Sequence, residues 1–302
     1  MIVPPTITER IRVVFGSTGD LWLNTISETV ASLCDRWSIE LDGDCWGNYS
    51  VVLPGRSTGI PVVLKLVPPS HVYKRELNAL SSWNGNGAVQ VIDADSSLGA
   101  MLLQRAIPGT QLTNLHRQGL DEAATKVACE LMISMRKFMP PDTSIWQSAE
   151  DRGKELSGIR ERFDGGTGPL PEDLVSDAES LFSELVSSQS DQVLIHGDLH
   201  HENILLNGDN EWLAIDPHGL IAEPAFETYS LLLNPTGIAK HPDVIAITKR
   251  RVDQIADITG FHRERVQGWG IACGALSAWW TVQADCTDYD DAISIAQILR
   301  SF

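Results

Sequence analysis

Residues 196–216 read His196-Gly-Asp-Leu-His-His-Glu-Asn-Ile-Leu-Leu-Asn-Gly-Asp-Asn-Glu-Trp-Leu-Ala-Ile-Asp216, and this stretch decides the fold. Two short apolar runs, 204–206 and 212–215, flank Asn207-Gly208-Asp209-Asn210, a composition that favours a tight turn, so the spacing predicts a β-hairpin. Folding it about a midpoint between 209 and 210 sets Asn203 opposite Asp216. Two side-chain oxygens at the open end of one hairpin suit a hard cation such as Mg²⁺. Asp198 lies just upstream, in the loop that feeds the same end.

The chain of 302 residues is 43% hydrophobic, enough for one large domain or two lobes with a proper core. Its five cysteines (34, 45, 129, 273 and 286) are an odd number without a C-x-x-C pair. That argues against a disulfide framework and a cysteine zinc site, and fits a reducing, cytoplasmic location. The N-terminus lacks the basic region and apolar run of a signal peptide, and no stretch approaches the ~18 apolar residues of a membrane helix. The formal charge of -17 disfavours nucleic acid and suits a cationic small-molecule partner.

Composition changes character near residue 104. Before it, Arg36–Leu41, Tyr49–Leu53, Ile60–Val67 and Met101–Leu103 read as strands of a small sheet. After Pro108-Gly109, residues 122–139 and 172–187 carry apolar side chains with a helical period. The expected class is therefore α+β. A β-rich lobe spans 1–103, a connector 104–110, and a larger, mainly helical lobe 111–302 carries the hairpin. Residues 140–170 are open to reading as a substrate-covering insertion or an inert loop.

Two residues of the small lobe break their local patterns. Lys65 interrupts the apolar strand 60–67, and Glu76 stands on the apolar stripe of a helix opened by Ser70. Either charge costs several kcal/mol, roughly, if buried alone, so pairing them is the economical solution. A lysine held by a glutamate is also what ATP phosphates require. The loop between the first strands, Gly43-x-x-x-Gly47, reads as an ordinary hairpin, and no P-loop sequence occurs.

In order, Lys65, Glu76, the connector, the His196–Asn203 motif, Asp216-Pro-His-Gly219 and Glu223-Pro-Ala-Phe-Glu227 resemble the aminoglycoside phosphotransferases of the protein-kinase-like superfamily. The wording after Ile215 resembles its streptomycin 6-kinase and hydroxyurea phosphotransferase branch, over roughly residues 35–290. The resemblance implies a bilobal protein-kinase-like fold, ATP and Mg²⁺ as cofactors, and a small-molecule hydroxyl as acceptor. It implies Asp198 as catalytic base and Asn203 and Asp216 as metal ligands. Lys65, positioned by Glu76, would hold the α/β-phosphates, and the backbone from Gln104 to Ala106 would meet the adenine edge. His196 would pack the catalytic loop beneath the metal-binding turn.

The acceptor is read from charge and resemblance together. Streptomycin carries two guanidinium groups, and Glu223, Glu227 and the acidic segment 281–302 are candidate contacts, with Trp279 and Trp280 available to cover a guanidinium face. Hydroxyurea or another small metabolite is the alternative acceptor, and a catalytically silent kinase-like binding protein is a further one. A transition-metal hydrolase built on His196, His200, His201 and His218 is disfavoured, because no H-E-x-x-H helix is present.

Overall fold

In a computed structural model, which describes residues 3–43, 45–47, 49–138, 144–189 and 191–302, the chain divides into units spanning Met1–Gly109 and Thr110–Phe302.

The first unit is an antiparallel sheet with helical cover. In spatial order its main strands are Ile39–Leu41, Val51–Ser57, Ile60–Leu66, Ala100–Gln104 and Val91–Asp95, with Cys45–Trp46 pairing beside Val51–Val52. Alternation puts Val62, Leu64 and Leu66 on one face, where they share a core with Val51, Leu53 and Ala100. The same core includes Ile7, Ile11, Trp22, Ile26, Val30 and Leu33 of a long helix, Pro5–Arg36. Arg36 therefore ends a helix instead of opening a strand. The helical stripe outlasts the apparent strand signal because Val30, Leu33 and Trp37 continue its period into the core. Lys65 points to the opposite sheet face, opposite Val52 and Met101 in the flanking strands.

The helix His71–Trp83 begins where its capping chemistry says it should. Ser70 has extended backbone angles and its Oγ accepts from the Tyr73 N–H at 3.2 Å. Tyr73, Glu76, Leu80 and Trp83 then fall on the buried side. The Tyr73 hydroxyl donates to the Ala100 carbonyl at 3.0 Å, pinning helix to sheet.

The second unit packs its helices around Arg263–Gln283. Gly270 and Gly274 keep that helix slim; a Cβ at Gly274 would meet the Ala296 Cβ at 2.8 Å, so the helix Asp290–Arg300 lies close against it. The helices expected over 122–139 and 172–187 run Asp121–Met135 and Glu172–Ser187. Residues 144–170 belong to the body of the unit. Gln147–Ser148 pairs in parallel with Leu220–Ala222, and a capping box between Ser148 and Asp151 starts the helix Ala149–Arg162. Residues 139–143 of that span lie outside the described residues.

The hairpin forms from Ile204–Asn207 and Glu211–Ala214, but its register departs from the expected one. Ile204 pairs with Ala214 and Asn207 with Glu211, leaving a three-residue turn in which Gly208 has φ +60°. Asn203 consequently faces Ile215, whose N–H donates to the Asn203 carbonyl at 2.9 Å. Asp216 falls one residue beyond, with φ +59°, and this left-handed step redirects the chain as it leaves the strand.

Candidate active site

In the first unit the two pattern-breaking charges meet. Lys65 Nζ lies 2.5 Å from Glu76 Oε1, and both side chains are nearly excluded from water. The sheet supplies the lysine, the capped helix supplies the glutamate, and each offsets the other's desolvation. Gln104, at the end of its strand, donates its N–H to the Gln90 carbonyl at 2.9 Å and accepts from the Gln90 N–H at 3.2 Å through its side chain. Its own N–H is thus committed to the fold, and Ala106 beyond it is buried. Asp44 and Asn48 of the glycine loop lie outside the described residues. Within it the Gly47 N–H donates to the Ser50 carbonyl at 3.2 Å, as in an ordinary hairpin.

In the second unit the chain leaves the strand Val193–Ile195 through a turn that only glycine permits. Gly197 has φ +80°, and a Cβ there would sit 2.0 Å from Leu220 Cδ1. His196 is fully buried, so burial pushes its pKa down to about 4 and the ring is neutral. Nε2 therefore donates to the Ile215 carbonyl at 2.8 Å while Nδ1 accepts from the Asp198 N–H at 3.2 Å. The ring ties the backbone before Asp216 to the backbone of Asp198.

Asp198 is surrounded by polar donors. Asn203 Nδ2 lies 3.2 Å from its Oδ2 and 3.1 Å from its carbonyl. His200 Nε2 stands 3.4 Å and His218 Nε2 3.9 Å from the same Oδ2. Burial alone would raise the carboxyl pKa, but the His200 hydrogen bond and the surrounding imidazoles hold it below the usual value, so it is an ionised carboxylate. His200 also meets Glu202 Oε2 through Nδ1 at 2.8 Å. Burial opposes its charge, yet the carboxylates on both sides push its pKa to about 9.

Asn203 turns its amide nitrogen to Asp198, which leaves the amide as an oxygen donor toward other partners. Among the described residues no three His, Cys, Asp or Glu side chains form a group that could hold a metal ion. Mg²⁺ needs no such cage, since it keeps waters and takes one or two protein oxygens beside substrate phosphates. An asparagine and an aspartate on the two ends of one hairpin fit that donor set. The histidines fit a transition metal poorly. His196 has both ring nitrogens engaged, and His201 is buried 3.3 Å from the Arg251 guanidinium.

Glu223 and Glu227, expected to face a cationic acceptor, are turned inward. Glu223 pairs with Arg265 at 2.5 Å and accepts from Trp269 Nε1 at 2.5 Å. Glu227 accepts from the His196 N–H at 2.5 Å and the Gly197 N–H at 2.9 Å, bracing the loop from beneath. Burial outweighs these bonds and raises its pKa to about 7. A sequence shows an acid near a motif, but not which way its side chain points. Tyr229 adds to the brace, its hydroxyl donating to the Gly197 carbonyl at 2.8 Å. Deeper still, Arg251 holds Asp121 with two nitrogens and donates to the carbonyls of Leu231 and Asn234.

Asp198 lines a cavity of about 620 Å³, together with Trp280, Lys240, Asp288, Asp290 and Asp291. The acidic segment read as an acceptor contact thus reaches this wall through three of its four aspartates, with Lys240 3.7 Å from Asp291. Of the paired tryptophans, Trp279 is core and donates to the Glu155 carbonyl at 2.9 Å. Trp280 reaches the cavity while its Nε1 donates to the Glu155 carboxylate at 2.9 Å and Arg152 covers its ring at 5.0 Å. His200, Glu202 and His218 carry no signal beyond their place in the motif.

The profile of the aminoglycoside/hydroxyurea antibiotic resistance kinase family matches residues 36–285. Streptomycin 6-kinase of Streptomyces glaucescens is 30% identical over 302 residues, covering 99% of this chain and 97% of that protein. Streptomycin 3''-kinase of Klebsiella pneumoniae is 31% identical over 259 residues, covering 82% of this chain and 90% of its own. The crystal structure of choline kinase LicA from Streptococcus pneumoniae superimposes with a TM-score of 0.63 at 14% identity, over 92% of this chain and 99% of that one, which shows a shared fold. The chain belongs to the aminoglycoside/hydroxyurea antibiotic resistance kinase family, and is a small-molecule phosphotransferase of protein-kinase-like fold.

Proposed function

We propose that this protein transfers the γ-phosphoryl group of ATP, with Mg²⁺, to a hydroxyl of a cationic small molecule, a streptomycin-type aminoglycoside being the first acceptor to try. The observation that carries this reading is the placement of Asp198 on the wall of a cavity that holds three more carboxylates. Asp198 takes the proton of the attacking hydroxyl, a role worth about 10²–10⁴ in rate. His196 holds the Asp198 N–H, and Glu227 holds the two N–H groups before it, so the base is fixed before the acceptor arrives. Asn203 and Asp216 would hold Mg²⁺, which would supply neutralisation of the charge developing on the transferring phosphates. Lys65, with Glu76 against it, takes the α- and β-phosphates, and the backbone from Gln104 to Ala106 offers its remaining groups to adenine.

Charge selects the acceptor class. Asp288, Asp290 and Asp291 line the cavity with a single lysine, Lys240, which stands 3.7 Å from Asp291, so a cation gains there and a neutral acceptor such as hydroxyurea does not. Relatives of this chain are named for phosphorylating streptomycin at different positions. The test is a coupled ADP-release screen over aminoglycosides, choline and hydroxyurea, with and without Mg²⁺. Metal-dependent ADP release stimulated by streptomycin supports the reading. Stimulation by hydroxyurea alone would move it to the neutral acceptor.

A further inference from the structure

Leu199 is fully buried, and Asp198 and His200 on either side of it keep partly exposed side chains. His200 has extended backbone angles and meets two carboxylates at once. Its Nε2 is 3.4 Å from Asp198 Oδ2 and its Nδ1 is 2.8 Å from Glu202 Oε2. Glu202 is itself held at three points. Its Oε1 accepts from the Thr236 N–H at 3.2 Å, and its carbonyl accepts from Gln111 Nε2 at 3.1 Å. Thr236 is part of the cavity wall, so this chain of contacts runs from the base to the surface that meets the acceptor.

The two oxygens of Asp198 are not equivalent in this setting. His200, Asn203 and His218 all approach Oδ2. Asn203 donates to that oxygen at 3.2 Å, and the two imidazoles stand at 3.4 and 3.9 Å on the same side, so Oδ2 is the oxygen that the protein holds. We infer that His200, clamped by Glu202, is a positioning residue that holds Asp198 by Oδ2 and reserves Oδ1 to take the proton of the acceptor hydroxyl. The inference rests on the phosphotransferase reading above. As the acceptor oxygen forms its bond to the γ-phosphorus and the bond to the ADP oxygen breaks, the hydroxyl proton passes to Oδ1.

A plainer role for His200 exists. The Glu202 N–H lies 3.2 Å from Nδ1, so the ring could serve only as cap of the short turn His201–Asn203. One nitrogen cannot both accept that N–H and donate to Glu202 Oε2, and the shorter 2.8 Å contact to a carboxylate is the stronger bond. Asparagine separates the two roles, because it is a good cap but too short to bridge to Asp198.

The experiment measures kcat, KM for both substrates and Tm for His200→Asn and Glu202→Gln, in the otherwise unchanged protein and in an Asp198→Ala background. Outer-shell partners of this kind are worth about 10–100-fold in activity. The expected result is a loss of that size in kcat for His200→Asn, a smaller one for Glu202→Gln, unchanged KM, and a Tm that stays above the assay temperature. Added to Asp198→Ala, His200→Asn changes the residual rate no further, because its only route of action is already gone. The inference is overturned if His200→Asn keeps the original kcat, or if it lowers the Asp198→Ala rate by the same factor as in the intact protein. Absence of acceptor-dependent ADP release from the unaltered protein overturns the phosphotransferase reading and this inference with it. Activity that depends on Asp198 but ignores His200 overturns this inference alone.

Discussion

Asp198 and Glu227 attend the same loop, one on its cavity side and one beneath it, and they differ in what answers their charge. Asp198 meets imidazoles and an amide, and its pKa falls below the usual carboxylate range. Glu227 meets backbone N–H groups in a dry setting, and burial lifts its pKa to about 7. Opposite shifts in neighbouring carboxyls often mark an acid and a base of one reaction. Here they separate a carboxylate that stays charged at the cavity from a brace that keeps the loop in shape. Distance from a motif does not assign a role; the partners of the side chain do.

The sharpest way to break that comparison is to delete the brace. Glu227→Ala leaves two buried N–H groups without an acceptor, each worth about 1–3 kcal/mol, so unfolding free energy should fall by roughly 2–6 kcal/mol. Denaturant melts read this directly, and unchanged stability would remove the brace.

The pH dependence sharpens it further. Because the folded protein raises the Glu227 pKa, this group favours folding most below the ordinary carboxylate pKa, and that advantage is lost as pH rises through about 7. His196, lowered to about 4, behaves in the opposite sense. Its stability is present above the ordinary histidine pKa and is lost as pH falls toward 4. The Tm difference between the protein and Glu227→Gln should therefore move in favour of the variant from pH 5 to pH 8. A difference that is flat over this range would mean that Glu227 is not desolvated.

The smallest effect belongs to the cavity rim. Asp288 and Asp290 are exposed, and exposed charge pairs are worth about 0.2–1 kcal/mol, so Asp288→Asn or Asp290→Asn should raise KM for streptomycin up to roughly fivefold with kcat unchanged. Added salt should raise KM in the original protein and less so in the double variant. A salt-independent KM would point to a neutral acceptor.

What the sequence made legible follows from energetic cost. Lys65 and Glu76 were readable because a lone buried charge is expensive and two such breaks in pattern have one inexpensive resolution. The hairpin was readable from its apolar runs, but its register was not. A symmetric turn and a three-residue turn fit the same residues, and only the backbone of Gly208 distinguishes them. The long N-terminal helix was obscured by exposed Val13, Val14 and Leu21 off its buried stripe and by the break at Gly16, φ +53°. Arg251 and Asp121 pair across 130 positions, and no local pattern encodes such a contact. The same holds for Glu223 and Glu227, whose inward direction is set by Arg265, Trp269 and the loop they support.

If Asp198 is the base of a phosphoryl transfer, Asp198→Ala removes the group that takes the proton. Turnover with streptomycin and ATP, nucleotide affinity and Tm are measured side by side on the variant and the original protein. The expected result is a loss of about 10²–10⁴ in kcat with nucleotide binding and Tm preserved. A variant that turns over at the original rate would contradict it.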